Sequence, residues 1–590
     1  MKNFLKTMLA VIAGILVLNI IGSILFMVMV GAMAAAGSSK TVMPREGGVL
    51  DINMADFVLA DQAKDNMPAM SLGGMNMQTT VGLWDAVKAV EAAAEDPAVK
   101  CVLLRPDAVS GGFATLEEFR IALQKFRESG KPVIAYVENP GTGSYYMASV
   151  ADKVYMTKHH GGTAMLVGLS GRMIFLKDIL DKLGVNVQLI RHGKYKSAGE
   201  MYIKNSPSPE NMEQNRVMIA SLWKGMAEAI AQSRGMEYDA FNALVDNLAL
   251  NFPEDFVETG LVDGLMDRED LIQKLEEQTM VSRDKIHLVA FADYVDLKKQ
   301  LLPGKNNVAI LYASGEIVDG DEDYENIAAD RFVRDIATLR EDNTVKAVVL
   351  RVNSPGGSVL ASEKIKTALD MLAEKKPLVA SYGDYAASGG YWISNGCSKI
   401  YTDAGTLTGS IGVFSMIPEF SGTMRKFGVN FVSVGSNKHR DMYALNRPFD
   451  AVETAYMQAN VEDIYDRFVT MVAENRGMTV PEVDDIAQGR VWVGSDALGI
   501  KIVDEIGTLE DAVAYAASLA GFESPAEYKI KQSPKPLTFA EQLMLSISGD
   551  DTPTILTGTP FEAMTDILRA FDEDRPTQVY ARLPYNIEIK

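Results

Sequence analysis

An internal duplication constrains the fold of this chain more than any other sequence feature. Residues 95–105 (EDPAVKCVLLR) align with residues 341–351 (EDNTVKAVVLR) at seven of eleven positions, with a shift of 246 residues. Further along, residues 234–236 match residues 476–478 with a shift of 242 residues. A chain of 590 residues is too long for one ordinary domain, and two repeats of roughly 250 residues agree with the usual size of domains. The sequence therefore predicts two copies of one folding unit.

Each copy alternates strands with helices. A helix at residues 83–94 precedes a nearly continuous apolar strand at residues 99–104, and residues 327–339 and 345–350 repeat this order. Apolar strands of this kind indicate a sheet covered on both faces, and helices between them indicate βαβ units. We therefore predict an α/β fold with two tandem repeats, each with a parallel sheet and helical extensions. The predicted segments are an anchor and linker at 1–45, repeats at 46–305 and 306–545, and a tail at 546–590.

The N-terminus predicts a membrane anchor. Lys2 and Lys6 precede an uncharged, mostly apolar run at residues 7–39. Spanning a bilayer takes roughly 20 apolar residues, whereas the apolar region of a cleavable signal peptide has only about 7–15. The run predicts an uncleaved transmembrane helix, with the alanines at 34–36 leaving a cleaved signal peptide as the alternative. Positive charge before the span predicts an N-terminus inside and the remainder of the chain outside the cytoplasm.

The composition argues against several classes of function. The formal net charge is −21, and phosphate recognition needs clustered lysine and arginine, so we expect no nucleic-acid partner. The two cysteines form no CxxC pair and the five histidines form no HExxH motif. We therefore expect neither a metal nor a cofactor.

The two copies have lost complementary groups. The shift of 246 residues places Ser388, in a loop of small residues, over Thr142 of the first copy. The first copy in turn has Lys196 within the motif GKYKSA, whereas the second has Lys438-His439-Arg440 near that position and no clean counterpart. One composite site explains this complementary loss, because two independent sites would each keep both groups.

A serine nucleophile needs a base, and Lys196 is the candidate. Its position directly after the apparent strand at residues 185–190 is a rigid one. Burial lowers the pKa of a lysine, so that a neutral amine can act as a general base. His192 lies four residues before Lys196 and remains an alternative base. The loop at residues 353–358 (NSPGGS) follows a strand, and its glycines are interpreted either as a tight turn or as amides that hold an oxyanion.

These motifs together resemble the signal peptide peptidase A family, in its long form. The resemblance covers almost the whole chain and rests on residues 193–198, 382–394, 406–412, 489–494 and 502–504. It implies tandem Clp/crotonase-like domains behind an N-terminal membrane anchor, hydrolysis of released signal peptides, and a tetrameric bowl with inward-facing sites. One departure is Gly199, where the long forms usually carry a bulkier residue.

The resemblance also implies a role for individual residues. Ser388 matches the nucleophile, Lys196 the general base, and Ser410 a serine that orients the lysine. Gly356 and the amide of Gly389 match the donors of the oxyanion hole.

We therefore expect a membrane-anchored serine endopeptidase of the cytoplasmic (inner) membrane, with its catalytic domains facing the periplasm. Its expected substrates are signal peptides and other apolar, extended peptides, bound as an added strand. Its expected assembly is a homotetramer. Two alternatives remain at this point: a crotonase-like acyl-CoA enzyme, and a catalytically inactive membrane scaffold.

Overall fold

A computed structural model describes residues 44–45, 47–63, 69–71, 74–76, 79–162, 164–299, 306–321, 326–536 and 579–582. The predicted transmembrane helix at residues 7–39 and most of the predicted tail at residues 546–590 lie outside the described residues. Among the helices that are described, none is both long and apolar enough to cross a bilayer.

The first repeat contains eleven strands and ten α-helices within its described residues. Its strands are β1 (Gly48–Asn53), β2 (Phe57–Ala60), β3 (Ala69–Ser71), β4 (Gly74–Asn76), β5 (Thr79–Gly82), β6 (Val99–Arg105), β7 (Val133–Val137), β8 (Lys153–Thr157), β9 (Asn186–His192), β10 (Gly264–Met266) and β11 (His287–Ala290). Its helices are α1 (Leu83–Glu95), α2 (Phe113–Glu128), α3 (Thr142–Ala148), α4 (Lys177–Leu183), α5 (Glu200–Ile203), α6 (Pro209–Ser233), α7 (Tyr238–Asp246), α8 (Pro253–Glu258), α9 (Arg268–Thr279) and α10 (Phe291–Lys299).

The second repeat follows the same plan with thirteen strands and eight α-helices in the described part. Its strands are β12 (Asn307–Ser314), β13 (Ile317–Val318), β14 (Ile327–Ala328), β15 (Val345–Ser354), β16 (Gly356–Ser358), β17 (Leu378–Ala387), β18 (Ile400–Thr402), β19 (Leu407–Gly409), β20 (Val413–Glu419), β21 (Val491–Val493), β22 (Glu505–Ile506), β23 (Lys529–Ser533) and β24 (Val579–Arg582). Its helices are α11 (Ala329–Glu341), α12 (Val359–Ala373), α13 (Gly389–Ser394), α14 (Ser421–Lys426), α15 (Ala451–Arg476), α16 (Val480–Ile486), α17 (Gly494–Gly499) and α18 (Leu509–Leu519).

Each repeat is built on a parallel sheet, as the alternation of strands and helices predicts. The first sheet has the order β10-β8-β7-β6-β1-β11, and all its neighbours are parallel. The second has the order β21-β19-β17-β15-β12-β23, in which only the β19–β21 pair is antiparallel. The central strands β7 and β15 are almost wholly buried, because helices cover both faces. The α/β prediction is thus confirmed.

A third sheet joins the two repeats. Its order is β14-β13-β16-β24-β20-β9, so that β9 is a strand of the first repeat in a sheet of the second. β9 pairs antiparallel with β20 along seven positions, from Val413 opposite His192 to Glu419 opposite Asn186. Ile190 of β9 is buried in the main core of the second repeat. This strand pair carries the segment after β9, which contains Lys196, onto the second repeat.

Part of the predicted C-terminal tail forms strand β24. The sequence of the tail is compatible with either loose structure or an added strand, and residues 579–582 form a strand between β16 and β20. Ala581 is fully buried, and the Tyr580 ring stacks on Phe414 with 5.8 Å between ring centroids. This strand therefore pairs with the second repeat in the space between β16 and β20.

Candidate active site

Ser388 lies at a sharp strand-to-helix turn. β17 ends at Ala387 and α13 begins at Gly389, so Ser388 alone connects them. Its φ of 56° is in a region that residues with a side chain rarely adopt. Hydrogen bonds on both sides maintain this conformation: the Ser388 N–H donates to Gly409 O at 2.8 Å, and the Trp392 N–H donates to Ser388 O at 2.8 Å. Strain of this kind is characteristic of functional positions.

Lys196 of the first repeat reaches Ser388 of the second. The Lys196 side chain is fully buried, and its Nζ lies 2.7 Å from Ser388 Oγ. Nζ also donates to Ser410 Oγ at 2.9 Å and to Ser410 O at 3.0 Å. All three partners are uncharged oxygens, so no carboxylate in these contacts stabilises an ammonium. Burial lowers the pKa of Lys196 well below its ordinary value, which favours the neutral amine that a general base requires.

Close backbone packing fixes the lysine. The Tyr195 N–H donates to Gln488 O at 2.9 Å, and a Cβ on Gly489 would come within 2.7 Å of Lys196 Cβ. Gly489 belongs to the GRVWVG motif at residues 489–494. This motif of the second repeat therefore packs directly against Lys196 of the first repeat. A side chain at position 489 would displace Lys196.

Ser410 is fixed in position by burial and by a backbone hydrogen bond, like Ser388 and Lys196. It is fully buried with a φ of 49°, and its N–H donates to Arg490 O at 2.7 Å. The hydroxyl and carbonyl of this one residue therefore approach Lys196 Nζ from a rigid loop. This geometry suits the predicted role of orienting the amine, which remains a prediction.

The two predicted oxyanion donors lie side by side. Gly356 has a φ of 101°, and a Cβ there would come within 2.7 Å of Gly389 N. The Gly356 N–H donates to Ser354 Oγ at 3.2 Å, a long hydrogen bond that a developing oxyanion would have to replace. A Cβ on Gly356 would also collide with the carbonyl oxygen of Ala581. The carbonyl of β24 thus lies against the glycines to which the oxyanion role is assigned.

His192 and Thr142, the other residues that the sequence places at these positions, are not part of the Ser388–Lys196 contact. The His192 ring stacks on Tyr465 with 3.9 Å between ring centroids, and no hydrogen bond joins it to Ser388 in the described part of the chain. Thr142 starts α3 of the first repeat, where its hydroxyl donates to Gly168 O at 3.1 Å. The geometry therefore favours Lys196 over His192 as the base and Ser388 over Thr142 as the nucleophile.

A buried polar junction behind the site was missed by the sequence reasoning. Asp384, four residues before Ser388, accepts hydrogen bonds from Thr115 N at 3.1 Å and from Thr115 Oγ1 at 2.9 Å. Thr115 is in the first turn of α2, so a carboxylate of the second repeat satisfies a helix N-terminus of the first. Burial, and then the Asp61 carboxylate, raise the pKa of Asp384. Asn353, three residues before Gly356, donates to Asp61 Oδ2 at 2.5 Å and accepts from Tyr385 N at 3.1 Å.

Arg351 is the centre of this junction. Its guanidinium is fully buried and pairs with two carboxylates of the first repeat, Asp61 at 2.7 Å and Glu118 at 2.7 Å. It also donates to Ser381 Oγ at 2.9 Å and Tyr382 O at 3.1 Å, which ties β15 to β17. The duplicated motif contains an arginine at the same position in both copies, Arg105 and Arg351. The sequence does not show which of the two is buried.

Comparison with a protein-family model agrees with the division into two repeats. The model of peptidase family S49 matches twice, at residues 125–282 and 370–523. Protease 4 of Haemophilus influenzae is 35% identical over 525 residues, which cover 85% of this chain and 84% of that protein. The chloroplastic serine protease SPPA of Arabidopsis thaliana is 30% identical over 464 residues, which cover 77% of this chain and 68% of that protein. Among solved structures, a ClpP1 mutant from Listeria monocytogenes aligns with 35% of this chain and 94% of its own, at 16% identity and a TM-score of 0.24.

These matches decide between the functional classes that the sequence left open. Two family matches fall one in each repeat, and the relatives are similar over most of their own length. A serine peptidase is therefore favoured over both an acyl-CoA enzyme and an inactive scaffold. The chain belongs to peptidase family S49 and is a serine peptidase built from two tandem repeats.

Proposed function

We propose that this peptidase is a membrane-anchored endopeptidase that hydrolyses cleaved signal peptides and other apolar, extended peptides with a Ser388/Lys196 dyad. The observation that carries the proposal is the 2.7 Å contact between Lys196 Nζ and Ser388 Oγ, made by a fully buried amine of one repeat and a strained serine of the other.

The chemistry follows from these positions. Neutral Lys196 accepts the Ser388 hydroxyl proton while Oγ attacks the carbonyl carbon of the peptide bond. The resulting oxyanion is held by backbone N–H groups of the Gly356 and Gly389 loops. The Lys196 ammonium then protonates the leaving amine as the carbon–nitrogen bond breaks, which leaves an acyl-enzyme. Water attacks this ester, Lys196 accepts one of its protons, and release of the acid regenerates the Ser388 hydroxyl.

β24 supports an extended peptide as the substrate. It is antiparallel to both β16 and β20, with Ala581 opposite Gly357, which supports the proposal that an extended peptide binds between these strands. Main-chain pairing of this kind accepts many sequences, while side-chain pockets select among them. The pocket at this position holds an alanine with no exposed surface, which favours a small residue there.

Location and assembly are part of the proposal. The apolar run at residues 7–39 supports a single-pass anchor in the cytoplasmic membrane, and the preceding lysines support a catalytic body that faces the periplasm. The family resemblance supports a homotetramer whose inward-facing sites exclude folded proteins. Digestion of the catalytic body by protease added to intact spheroplasts is the expected result; full protection of that body would contradict the topology.

The function is tested with the full chain in detergent micelles and a synthetic signal peptide. Mass spectrometry should detect internal cleavage products, and Ser388→Ala should produce none while retaining the same fold by circular dichroism. Removal of residues 578–590 should lower KM, because β24 occupies the proposed peptide gap. Cleavage by Ser388→Ala, or an unchanged KM after the truncation, would contradict the dyad and the proposed gap respectively.

A further inference from the structure

Glu200 is a buried carboxylate four residues after Lys196. Its side chain is 1% exposed and lies at the start of α5. It accepts a hydrogen bond from Ser208 N at 3.0 Å and another from Asn211 Nδ2 at 3.1 Å. Ser208 is the N-cap of α6, a helix of 25 residues. The carboxylate therefore joins the turn that follows Lys196 to the N-terminus of a long helix, where unpaired N–H groups favour an anion.

Arg191 connects this carboxylate to the backbone of Lys196. It lies on β9, and its Nη1 donates to Lys196 O at 2.6 Å and to Glu200 Oε1 at 3.3 Å. Gly199 allows the intervening turn to approach β9, because a Cβ there would come within 2.5 Å of Leu189 Cδ1. One guanidinium therefore binds both the carbonyl of the lysine and the carboxylate that ends the turn.

The charge of Glu200 is balanced by the groups around it. Arg191 Nη1 lies 3.3 Å from the carboxylate and Lys204 Nζ lies 3.5 Å from it. Burial raises the pKa of Glu200, but the hydrogen bonds from Ser208 and Asn211 and the Lys204 charge outweigh burial and leave this pKa below its ordinary value. Glu200 is therefore an anion at neutral pH, and its hydrogen bonds are strengthened by that charge.

The contacts of the Lys196 amine are separate from those of its backbone. Nζ is bonded to three uncharged oxygens, whereas the Lys196 carbonyl is bonded to the guanidinium that also binds Glu200. Arg490 and Glu213, which flank the Tyr195 side chain, lie 3.6 Å from each other and pair. A change at Glu200 therefore affects the position of the lysine without removing a contact of its amine.

We propose that Glu200 is a positioning residue for the reaction: it fixes the backbone of Lys196, through Arg191 and the N-terminus of α6, so that the amine stays in contact with Ser388. The inference rests on the proposed function, because it requires Lys196 to be the base. Misplacement of a reacting group by about 1 Å can cost 10²-fold in rate. A buried lysine that moves also meets water, which stabilises its ammonium form.

The second repeat has a matched carboxylate on the equivalent helix. α15 corresponds to α6, because residues 234–236 directly after α6 match residues 476–478 at the end of α15. Glu453 of α15 is 2% exposed and accepts from Asp450 N, the N-cap, at 2.9 Å and from Arg447 Nη2 at 2.7 Å. These contacts lie within the second repeat. A variant of Glu453 therefore measures the cost of losing such a carboxylate apart from the position of the lysine.

The pH–rate profile of Glu200→Gln tests the proposal. The variant keeps the size of the side chain and one acceptor oxygen, but its NH2 group faces donors and weakens the contact with Arg191. In the full chain in detergent, with a fluorogenic peptide, kcat at pH 7 should fall about tenfold with KM unchanged. The rising limb should move to higher pH by about half a pH unit, because an amine with greater access to water keeps its proton more readily.

Glu453→Gln is the matched control, since it should lower the free energy of unfolding by a similar amount and leave the rising limb in place. A Glu200→Gln profile that is lowered equally at every pH would indicate a purely structural role and overturn the proposal. A rising limb at lower pH would refute it as well, because that shift is expected when the lost anion acted directly on the ammonium.

A second variant keeps the proposal testable if Glu200→Gln folds poorly. Arg191→Met removes the donor to Lys196 O and leaves the Ser208 and Asn211 donors on Glu200. It should move the rising limb in the same direction, and the double variant should move it no further than the larger single change, because both residues act through one set of contacts. Additive shifts, or a wild-type profile in Arg191→Met, would contradict the positioning role.

Lys196→Ala separates this inference from the proposed function. If Lys196→Ala left the pH–rate profile unchanged, the dyad itself would be wrong, and the positioning role would fall with it. If Lys196→Ala abolished the rising limb while neither Glu200→Gln nor Arg191→Met moved it, the dyad would stand and only the positioning role would be refuted.

Discussion

The two repeats share one fold but differ in the groups that they direct toward the other repeat. At the nucleophile position the second repeat has Ser388, held at a φ of 56°, and the first has Thr142, whose hydroxyl is engaged with a backbone carbonyl. Lys196 follows β9 in the first repeat. The second repeat has Lys438, His439 and Arg440 near the matching position, and the Arg440 guanidinium donates to Asn437 O and Ser433 O in an exposed loop. In the part of the chain that the structure describes, the complementary groups of the two repeats thus meet at one junction, between Lys196 and Ser388.

The same contrast applies to the polar groups behind the site. Arg351 is fully buried and neutralises two carboxylates of the other repeat, whereas its counterpart Arg105 is partly exposed and pairs with Asp51 of its own repeat. An identical residue in the duplicated motif therefore has a surface role in one copy and an interface role in the other. Function in a tandem repeat therefore depends on which face each copy turns to its neighbour.

The largest expected effect concerns the base. Lys196→Arg should reduce kcat by about 10³-fold or more, as should Lys196→Ala, because a guanidinium keeps its proton at any usable pH. In the wild-type chain, activity should be lost as the pH falls through the pKa of Lys196 and the amine becomes protonated. Since burial lowers that pKa, the rising limb of the pH–rate profile should lie below the ordinary lysine value of 10.5.

Lys196→Arg keeps a positive charge at this position but removes the amine that can become neutral, so it tests directly whether the first repeat supplies the base. Steady-state kinetics with a fluorogenic peptide from pH 6 to pH 10 are the measurement. Full activity of Lys196→Arg, or an unaltered pH profile in Lys196→Ala, would contradict the assignment of Lys196 as the base. His192 would then be the alternative base to test.

The second prediction compares the two arginines. Arg351→Met should lower the free energy of unfolding by about 3–5 kcal/mol, because it leaves two carboxylates buried without a cation. Arg105→Met removes a partly exposed pair and should cost less than about 1 kcal/mol. Urea unfolding of the two variants measures the difference, and equal costs would show that the buried junction does not stabilise the contact between the repeats.

The third prediction concerns Ser410. Ser410→Ala should lower kcat by about tenfold, since one hydrogen bond to the amine is worth up to about 1.4 kcal/mol and the Ser410 carbonyl remains in place. Ser410→Gly also lacks the hydroxyl but suits the φ of 49°, so it separates loss of the hydrogen bond from backbone strain. A loss as large as that of Lys196→Ala would indicate that Ser410 does more than orient the lysine.

A smaller effect is expected at Asp384. Asp384→Asn removes one acceptor for the two Thr115 donors and should lower kcat about fivefold with KM unchanged, because the junction lies behind the nucleophile and not in the peptide gap. Thr115→Ser keeps both donors and should behave as the wild-type chain. An increase in KM with kcat unchanged would instead place Asp384 in peptide binding.

The smallest effect is expected in the first repeat. Thr142→Ala should change kcat less than about twofold, because the Thr142 hydroxyl donates to Gly168 O within its own repeat and not to the Ser388–Lys196 contact. The measurement is the same peptide assay as for Ser388→Ala. A large loss in Thr142→Ala together with normal turnover in Ser388→Ala would reverse the assignment of the two copies.

The sequence alone is sufficient to predict the two-repeat α/β architecture and the composite site. The repeated motif and the order of apolar and amphipathic segments predicted two parallel α/β units, because these periodicities express which faces must be buried. Because one copy keeps Ser388 and the other keeps Lys196, the sequence predicts one composite site, and the structure brings these two residues together with Ser410. Local patterns also predicted the strand that precedes Lys196, which is β9.

The contacts between the two repeats, in contrast, follow only from the tertiary structure. Arg351 and Arg105 are identical in the motif, and only the packing of α2 against β17 makes one of them a buried cation. The Asp384–Thr115 contact joins positions 269 residues apart, and the place of β24 beside Gly356 depends on pairing with two strands remote in sequence. Such contacts arise from long-range packing and desolvation, which a local sequence pattern does not encode.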